Sequence, residues 1–183
     1  MSMIVLVRFL QKSSSSVEEL ARVVVEKKGV PDIIGRAFSF SFLDSCPSFN
    51  NKTELKAFPV NSAGTINKNN RIWEVPPEEF DTVIDTNVKG IANVLCHFIP
   101  LMITKKQGIV VNMSYGLSRS VAKELLDGMA VVALNPVVIN TDMLASCFGT
   151  SAALYQAPDA WALKAATMIL NLTGAENGAS LTV

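Results

Sequence analysis

Apolar residues fall in short blocks along the chain, and their spacing changes from block to block. Met3 to Val7 is a continuous apolar run and predicts a buried strand. After the polar Ser13 to Ser16, an S-x-x-E capping box (Ser16, Glu19) precedes apolar residues at Val17, Leu20, Val23 and Val24. That spacing predicts a helix from Ser16 to about Lys28, with Gly29 suited to its end. Val30 to Ile34 reads as the next buried strand. Strand, helix, strand is the rhythm of a parallel α/β sheet.

The pattern then breaks. Residues 35–59 hold five of the nine phenylalanines, several serines and no helical stripe. The alternation of Phe38, Phe40 and Phe42 suits one half-buried strand. A structureless stretch of this length is uncommon inside a compact domain, so it reads as an insertion.

The rhythm resumes at Val60, where a strand end runs into Asn61-Ser62-Ala63-Gly64. A long helix follows from Pro77 to Thr104, opened by proline and acidic residues that suit a first turn. Its apolar stripe is Phe80, Val83, Ile84, Val88, Ile91, Val94, Leu95, Phe98 and Met102, and Asn87 interrupts it. A buried amide needs partners, so Asn87 either locks backbone or serves a site. Ile109 to Met113 is a β-branched strand, Leu117 to Leu126 a short amphipathic helix, and Met129 to Leu134 a strand. Pro158 to Leu172 predicts a last helix and Ala179 to Val183 a final edge strand.

Composition narrows the function classes. The chain has 183 residues, 16 basic and 16 acidic side chains and one histidine, so its formal net charge is zero. That balance argues against a nucleic-acid binder. At 49% hydrophobic and 17% charged it is core-rich and not disordered. The best membrane candidate, Ile91 to Ile103, is short and contains Asn93, His97 and Pro100, so no membrane partner is expected. Cys46, Cys96 and Cys147 form no zinc or redox motif, and the N-terminus lacks the features of a signal peptide. A reducing, cytoplasmic location is the expectation. His97, with Lys89 and Asn93, reads as a solvated polar face, and Trp73 and Trp161 as packing groups.

Four patterns then line up in order: N-S-A-G at 61–64, N-V-K-G at 87–90, I-V-V-N-M-S at 109–114 and N-P-V-V-I-N-T-D at 135–142. Together they resemble the short-chain dehydrogenase/reductase family, whose corresponding runs read N-N-A-G, an asparagine on the long helix, N-x-S-S, and P-G-x-I/V-x-T-D/E. The resemblance covers about Ser13 to Ile34 and Val60 to Val183. It implies an α/β fold: a Rossmann-like, doubly wound parallel sheet flanked by helices. Here the sheet is incomplete and lacks the N-terminal cofactor-binding βα unit. The chain reads as one partial domain over 1–183 carrying the 35–59 insertion.

The resemblance also implies NADPH as cofactor and a small aldehyde or ketone as substrate. Its site residues map to Asn87, Ser114 and Tyr115 as catalytic candidates. Asn61, Ala63, Gly64, Pro136, Ile139 and Thr141 are the cofactor-binding candidates. Each has a bland alternative. Asn87 would pin a helix irregularity, Ser114 would end a strand, residues 61–64 would be an ordinary turn, and Thr141 would cap a helix at Asp142. Tyr115, expected at a strand end, is followed four residues on by Arg119, whose guanidinium differs from the family's lysine in shape and reach.

Three departures accompany the resemblance. The glycine-rich T-G-x-x-x-G-x-G turn and the catalytic Y-x-x-x-K do not occur in these 183 residues, and the family's P-G becomes Pro136-Val137. A missing N-terminal block, the 35–59 insertion and a deletion between Ser114 and Gly116, where relatives carry roughly twenty more residues, look like an altered transcript or a gene-model error, which sequencing the transcript across the codons for 34–60 and 114–116 tests. Three functions are in view: a reductase with impaired turnover, a non-catalytic subunit pairing through the 77–104 helix, or a defective variant. The last expectation rests on strands left beside the gap with unpaired edges.

Overall fold

β-branched and small apolar side chains build the two central strands, β4 (Gly108–Asn112) and β5 (Met129–Asn135). Both are buried almost throughout, as strands covered on two faces must be. In the computed structural model, which describes residues 4–7, 14–28, 33–36, 60–61, 64–68, 70–113 and 115–183, they pair in parallel from Gly108↔Met129 to Asn112↔Ala133. Four more strands join them: β1 (Ile4–Val7), β2 (Ile33–Arg36), β3 (Val60–Asn61) and β6 (Ser180–Thr182). The sheet order is β1-β2-β4-β5-β6, with β3 also paired to β4, and every pairing is parallel. Spatial order thus follows chain order from one edge to the other.

Helices cover both faces. Strand residues alternate between faces. Val110, Met129 and Val131 meet α1 (Ser14–Lys28) and α3 (Gly90–Ile103) through Val17, Val94, Phe98 and Met102. Val111 and Leu134 meet α6 (Pro158–Leu170) through Trp161, Ala165 and Ile169 on the other face. Trp161 therefore packs as expected.

Several expectations are corrected. α1 starts at Ser14, so Ser16 lies inside the helix and is not its cap. The expected strand at 30–34 is found at Ile33–Arg36, with 30–32 outside the described residues. Residues 37–59, including the expected Phe38–Phe42 strand, also lie outside them. β2 is not left with an unpaired edge, because β1 lies against it from Ile4↔Ile33 to Val7↔Arg36. The helix expected at 117–126 is α4 (Tyr115–Ala122), so Tyr115 opens a helix instead of ending a strand. His97 is half-buried. Trp73 does not pack: it is 74% exposed, with the Arg71 guanidinium 5.7 Å from its ring centre.

The long helix is not continuous. α2 (Pro77–Ile84) passes through one π-turn (Asp85–Lys89) into α3, and Gly90 N–H donates to Asp85 five residues back. By length and composition the 77–103 rod is long and apolar enough to cross a membrane, contrary to the sequence reading. Its α3 half is the core helix of the sheet, with Val94, Phe98 and Met102 fully buried. Its N-terminal half is not: Phe80, Ile84 and Val88 are 51%, 37% and 45% exposed.

Candidate functional site at the carboxyl end of the sheet

Because the strands are parallel, the segments that follow β3, β4 and β5 leave the sheet at one end. That carboxyl end is where open α/β sheets bind ligands. Among the described residues it gathers parts of three of the stretches singled out by sequence: Asn61 and Gly64, Asn112 and Tyr115, and Asn135 to Thr141.

The segment after β3 is held by Asn87. Its Oδ1 accepts from Thr65 N–H at 2.8 Å and its Nδ2 donates to Thr65 C=O at 2.8 Å. One amide thus satisfies both backbone groups of a residue 22 positions away. The π-turn brings this about locally. One extra residue in the turn re-aims the helix face, a device frequent at functional sites. Across the same turn Lys89 Nζ lies 2.6 Å from Asp85 Oδ1, and the carboxylate holds the ammonium pKa above its ordinary 10.5. Asn87 therefore locks backbone, using one Oδ1 lone pair and one Nδ2–H of its amide. The strand end at Asn61 and the backbone of Gly64 are described; Ala63 lies outside the described residues.

After β4, buried Asn112 donates through Nδ2 to Ser118 Oγ at 3.1 Å. This bond ties the strand end to α4 across the short junction. Ser114 lies outside the described residues. Tyr115 is the first residue of α4, and exposed Arg119 follows one helical turn on.

After β5 the backbone folds more sharply. Asn135 Oδ1 accepts from Val137 N–H at 3.0 Å, and Val137 sits at φ 55°. That left-handed conformation is a genuine outlier for a β-branched residue. Pro136 is half-buried beside it. Ile139 bridges Gln156, Asn140 N–H donates to Gln156 C=O at 2.9 Å, and Ile139 packs on the α6 core. Thr141 caps α5 (Asp142–Phe148): its Oγ1 accepts from Leu144 N–H at 3.2 Å. The capping reading of Thr141 holds.

Two structural devices escaped the sequence reading. Asn177 accepts from Val131 N–H at 3.1 Å and donates to Ala122 C=O at 2.8 Å, stitching β5 to α4. Thr173 and Glu176 form a capping box, for which the T-x-x-E spacing was a legible signal. Among the described residues no three His, Cys, Asp or Glu side chains cluster as a metal site.

Residues 56–121 match the family model described as enoyl-(acyl carrier protein) reductase. The chain is 58% identical over 193 aligned residues to the NADPH-dependent pterin aldehyde reductase of Arabidopsis thaliana, covering 94% of this chain and 69% of that protein. The chain belongs to the short-chain dehydrogenase/reductase family. Within that family it is also 32% identical to a 3-oxoacyl-(acyl-carrier-protein) reductase of Staphylococcus aureus, over 46% of this chain and 43% of that one. A putative short-chain dehydrogenase of Escherichia coli, solved with NADPH, shares the fold with a TM-score of 0.71 at 16% identity. That match covers 94% of this chain and 71% of the solved one.

The pyrophosphate of NADPH needs a cradle of backbone N–H groups. Family sheets hold it where strand order reverses, on a glycine-rich strand-to-helix turn. Among the described strands the order does not reverse. The segment joining β1 to α1, residues 8–13, contains no glycine.

Proposed function

We propose that this chain is a polypeptide of the small-aldehyde reductase line, with the NADPH-dependent carbonyl reduction named for its Arabidopsis relative as the line's activity and with turnover strongly impaired. The observation that carries the reading is the Asn87–Thr65 lock at the carboxyl end, which ties the long helix to the backbone that follows Gly64. The 58% identity to that reductase supports the same line. Asn87 acts as a positioning residue for the turn. In this reading Asn61, Ala63, Gly64, Pro136, Ile139 and Thr141 are the cofactor-binding candidates, and Ser114 and Tyr115, which follow β4 in the sequence, the catalytic ones.

The impairment follows from chemistry. Carbonyl reduction needs a proton donor, and a tyrosine with an ordinary pKa near ~10 donates poorly without a lysine beside it. Tyr115 has Arg119 at that spacing, and no Y-x-x-x-K occurs in the sequence. Loss of a positioned general acid costs about 10²- to 10⁴-fold. The test is NADPH oxidation with small aldehydes, pterin aldehydes among them, beside the intact Arabidopsis enzyme. A rate at least a hundredfold lower, lowered again by Tyr115→Phe, is the expected result. A rate within tenfold of the relative's overturns it.

A second reading is favoured by the exposed Phe80, Ile84 and Val88, spaced every fourth residue along one face of the 77–103 rod. In it the chain pairs with a second copy or with an intact family member. A complex co-purifying with an intact subunit supports it, and a chain that elutes as a monomer beside that subunit refutes it. Cys96 and Cys147, neither in a disulfide, suit the reducing, cytoplasmic location proposed with either reading.

A further inference from the structure

The turn before β6 holds a pair of residues that the proposed function does not use, and their chemistry does not depend on it. Asn177-Gly178 is the one Asn-Gly pair in the sequence. Asparagine is a thermolabile residue. Its amide carbon is open to attack by the backbone nitrogen of the next residue, and glycine, lacking Cβ, hinders that attack least.

The fold itself calls for this pair. Asn177 Oδ1 accepts from Val131 N–H at 3.1 Å, and Nδ2 donates to Ala122 C=O at 2.8 Å. The first bond needs an acceptor and the second a donor, and one amide supplies both. Gly178 sits at φ 77°, and a Cβ on it would lie 3.3 Å from Ala122 Cβ. That angle and that close approach favour glycine. Structural needs thus place a labile pair where water reaches it, because Asn177 is exposed.

The same contacts hold the reaction back. Gly178 N–H, the attacking group, donates to Val131 C=O at 2.9 Å. Both ends of the Asn177 amide are bonded. At ψ 125° Asn177 turns the Gly178 nitrogen away from its own side chain, so ring closure needs a large rotation about the Cα–C bond. That rotation requires the turn to leave β5, a local opening that costs less than global unfolding.

We propose that Asn177-Gly178 is a spontaneous deamidation site, gated by local opening of the turn, and that its product unlatches α4. In the open turn the Gly178 nitrogen attacks Cγ of Asn177. The new N–C bond forms as the bond from Cγ to Nδ2 breaks, and ammonia leaves with the proton that the Gly178 nitrogen gives up. Water then opens the cyclic imide at either carbonyl, leaving aspartate or isoaspartate. A carboxylate at 177 still has an oxygen for Val131 N–H, but it has no proton for Ala122 C=O. Ala122 ends α4, where carbonyls lack intrahelical partners and a negative charge is unfavourable. Eight residues do not hold a helix by themselves, so α4, with Tyr115 at its start and Ser118 bonded to Asn112, depends on such contacts.

The full-length chain is aged at neutral pH, folded and in concentrated urea, and conversion at each asparagine is read by peptide mass mapping. Conversion at Asn177 should exceed that at exposed Asn67 and Asn171 in both samples. It should run slower in the folded chain by about tenfold or more. Equal rates in the two samples overturn the gate, and a folded chain that converts elsewhere but not at 177 overturns the site. Asn177→Asp should melt roughly 3–6 °C below the parent, with faster amide exchange along 115–122. If that variant does not melt cooperatively, the converted fraction of the aged parent, separated by its added negative charge, is compared with the unconverted fraction in the same way. An unchanged midpoint and unchanged exchange along 115–122 overturn the unlatching.

Discussion

The segments after β3 and after β5 leave the same end of the sheet and are held in opposite ways. The first is fixed from a distance: Asn87, on the neighbouring helix, closes both hydrogen bonds of Thr65 at 2.8 Å. The second is fixed by its own sequence, through Asn135 to Val137, Thr141 to Leu144 and the Ile139–Gln156 bridge. The remote lock leaves no residue in a strained conformation among those described in its turn, whereas the local scheme leaves Val137 at φ 55°. A clamp from another element lets the backbone keep its preferred angles. A self-contained loop must absorb the bend in one residue, and glycine is the residue that absorbs it freely.

Breaking the remote lock should have the largest effect. Asn87→Ala removes two hydrogen bonds from a half-buried backbone pair. At about 1 kcal/mol each, plus some penalty for the stranded groups, the loss is about 2–3 kcal/mol. Urea unfolding measures it directly. A change under about 0.5 kcal/mol would mean that water replaces the amide and that the lock does not hold the turn.

Relieving the strained loop should act in the opposite direction. A left-handed conformation costs an L-residue about 1–2 kcal/mol, and glycine gives back about 0.5–1 kcal/mol through the greater freedom of its unfolded chain. Val137 is 45% exposed, so little buried area is lost. Val137→Gly should therefore raise stability by about 0.5–1 kcal/mol. A lower unfolding midpoint would show that the valine side chain contributes packing that outweighs the strain.

These two sites also mark what sequence reasoning can reach. The core strands were legible because an apolar, β-branched run such as 109–113 admits few alternatives. Asn87 was legible as a polar residue on an apolar stripe, and both of its readings were in view. The replacement of the family's glycine by Val137 was legible as a departure, although its conformation was not. The π-turn was hidden, because a single extra residue barely disturbs the apolar period. Phe80, Ile84 and Val88 extend the stripe, yet they lie beyond the part of the rod that the sheet covers. Periodicity identifies an apolar face without saying what covers it. The pairing of β4 with both Ile33-Ile34 and Val60-Asn61 depends on register between segments far apart in the chain, which no local pattern encodes.

Thr141 separates two roles within the β5 loop. As a helix cap its hydroxyl accepts from Leu144 N–H, and Thr141→Ala should cost about 1 kcal/mol. Thr141→Ser keeps the oxygen and should stay within about 0.3 kcal/mol of the parent, since serine caps as well as threonine. Equal losses in both variants would assign the effect to the threonine methyl and not to the cap.

The smallest effect belongs to a second local device, the Thr173–Glu176 capping box near β6. Thr173 N–H and Oγ1 both donate to Glu176 Oε2, and those bonds hold the carboxyl below its ordinary 4.5. A group whose folded pKa is depressed contributes stability above its unfolded value, and that contribution is lost as pH falls through the folded value. The box should therefore stabilise the fold at neutral pH and fade below about pH 4. Glu176→Gln should lower the melting midpoint slightly at about pH 7, with the gap between variant and parent narrowing as pH falls through the lowered pKa of Glu176. Because the side chain is solvent-exposed, added salt should shrink that gap too. A gap that persists in acid would mean that the neutral hydrogen bonds, and not the charge, make up the cap. The β5 loop and this box would then share one character: local closure by side-chain oxygen, indifferent to ionisation, in contrast to the long-range amide lock at Thr65.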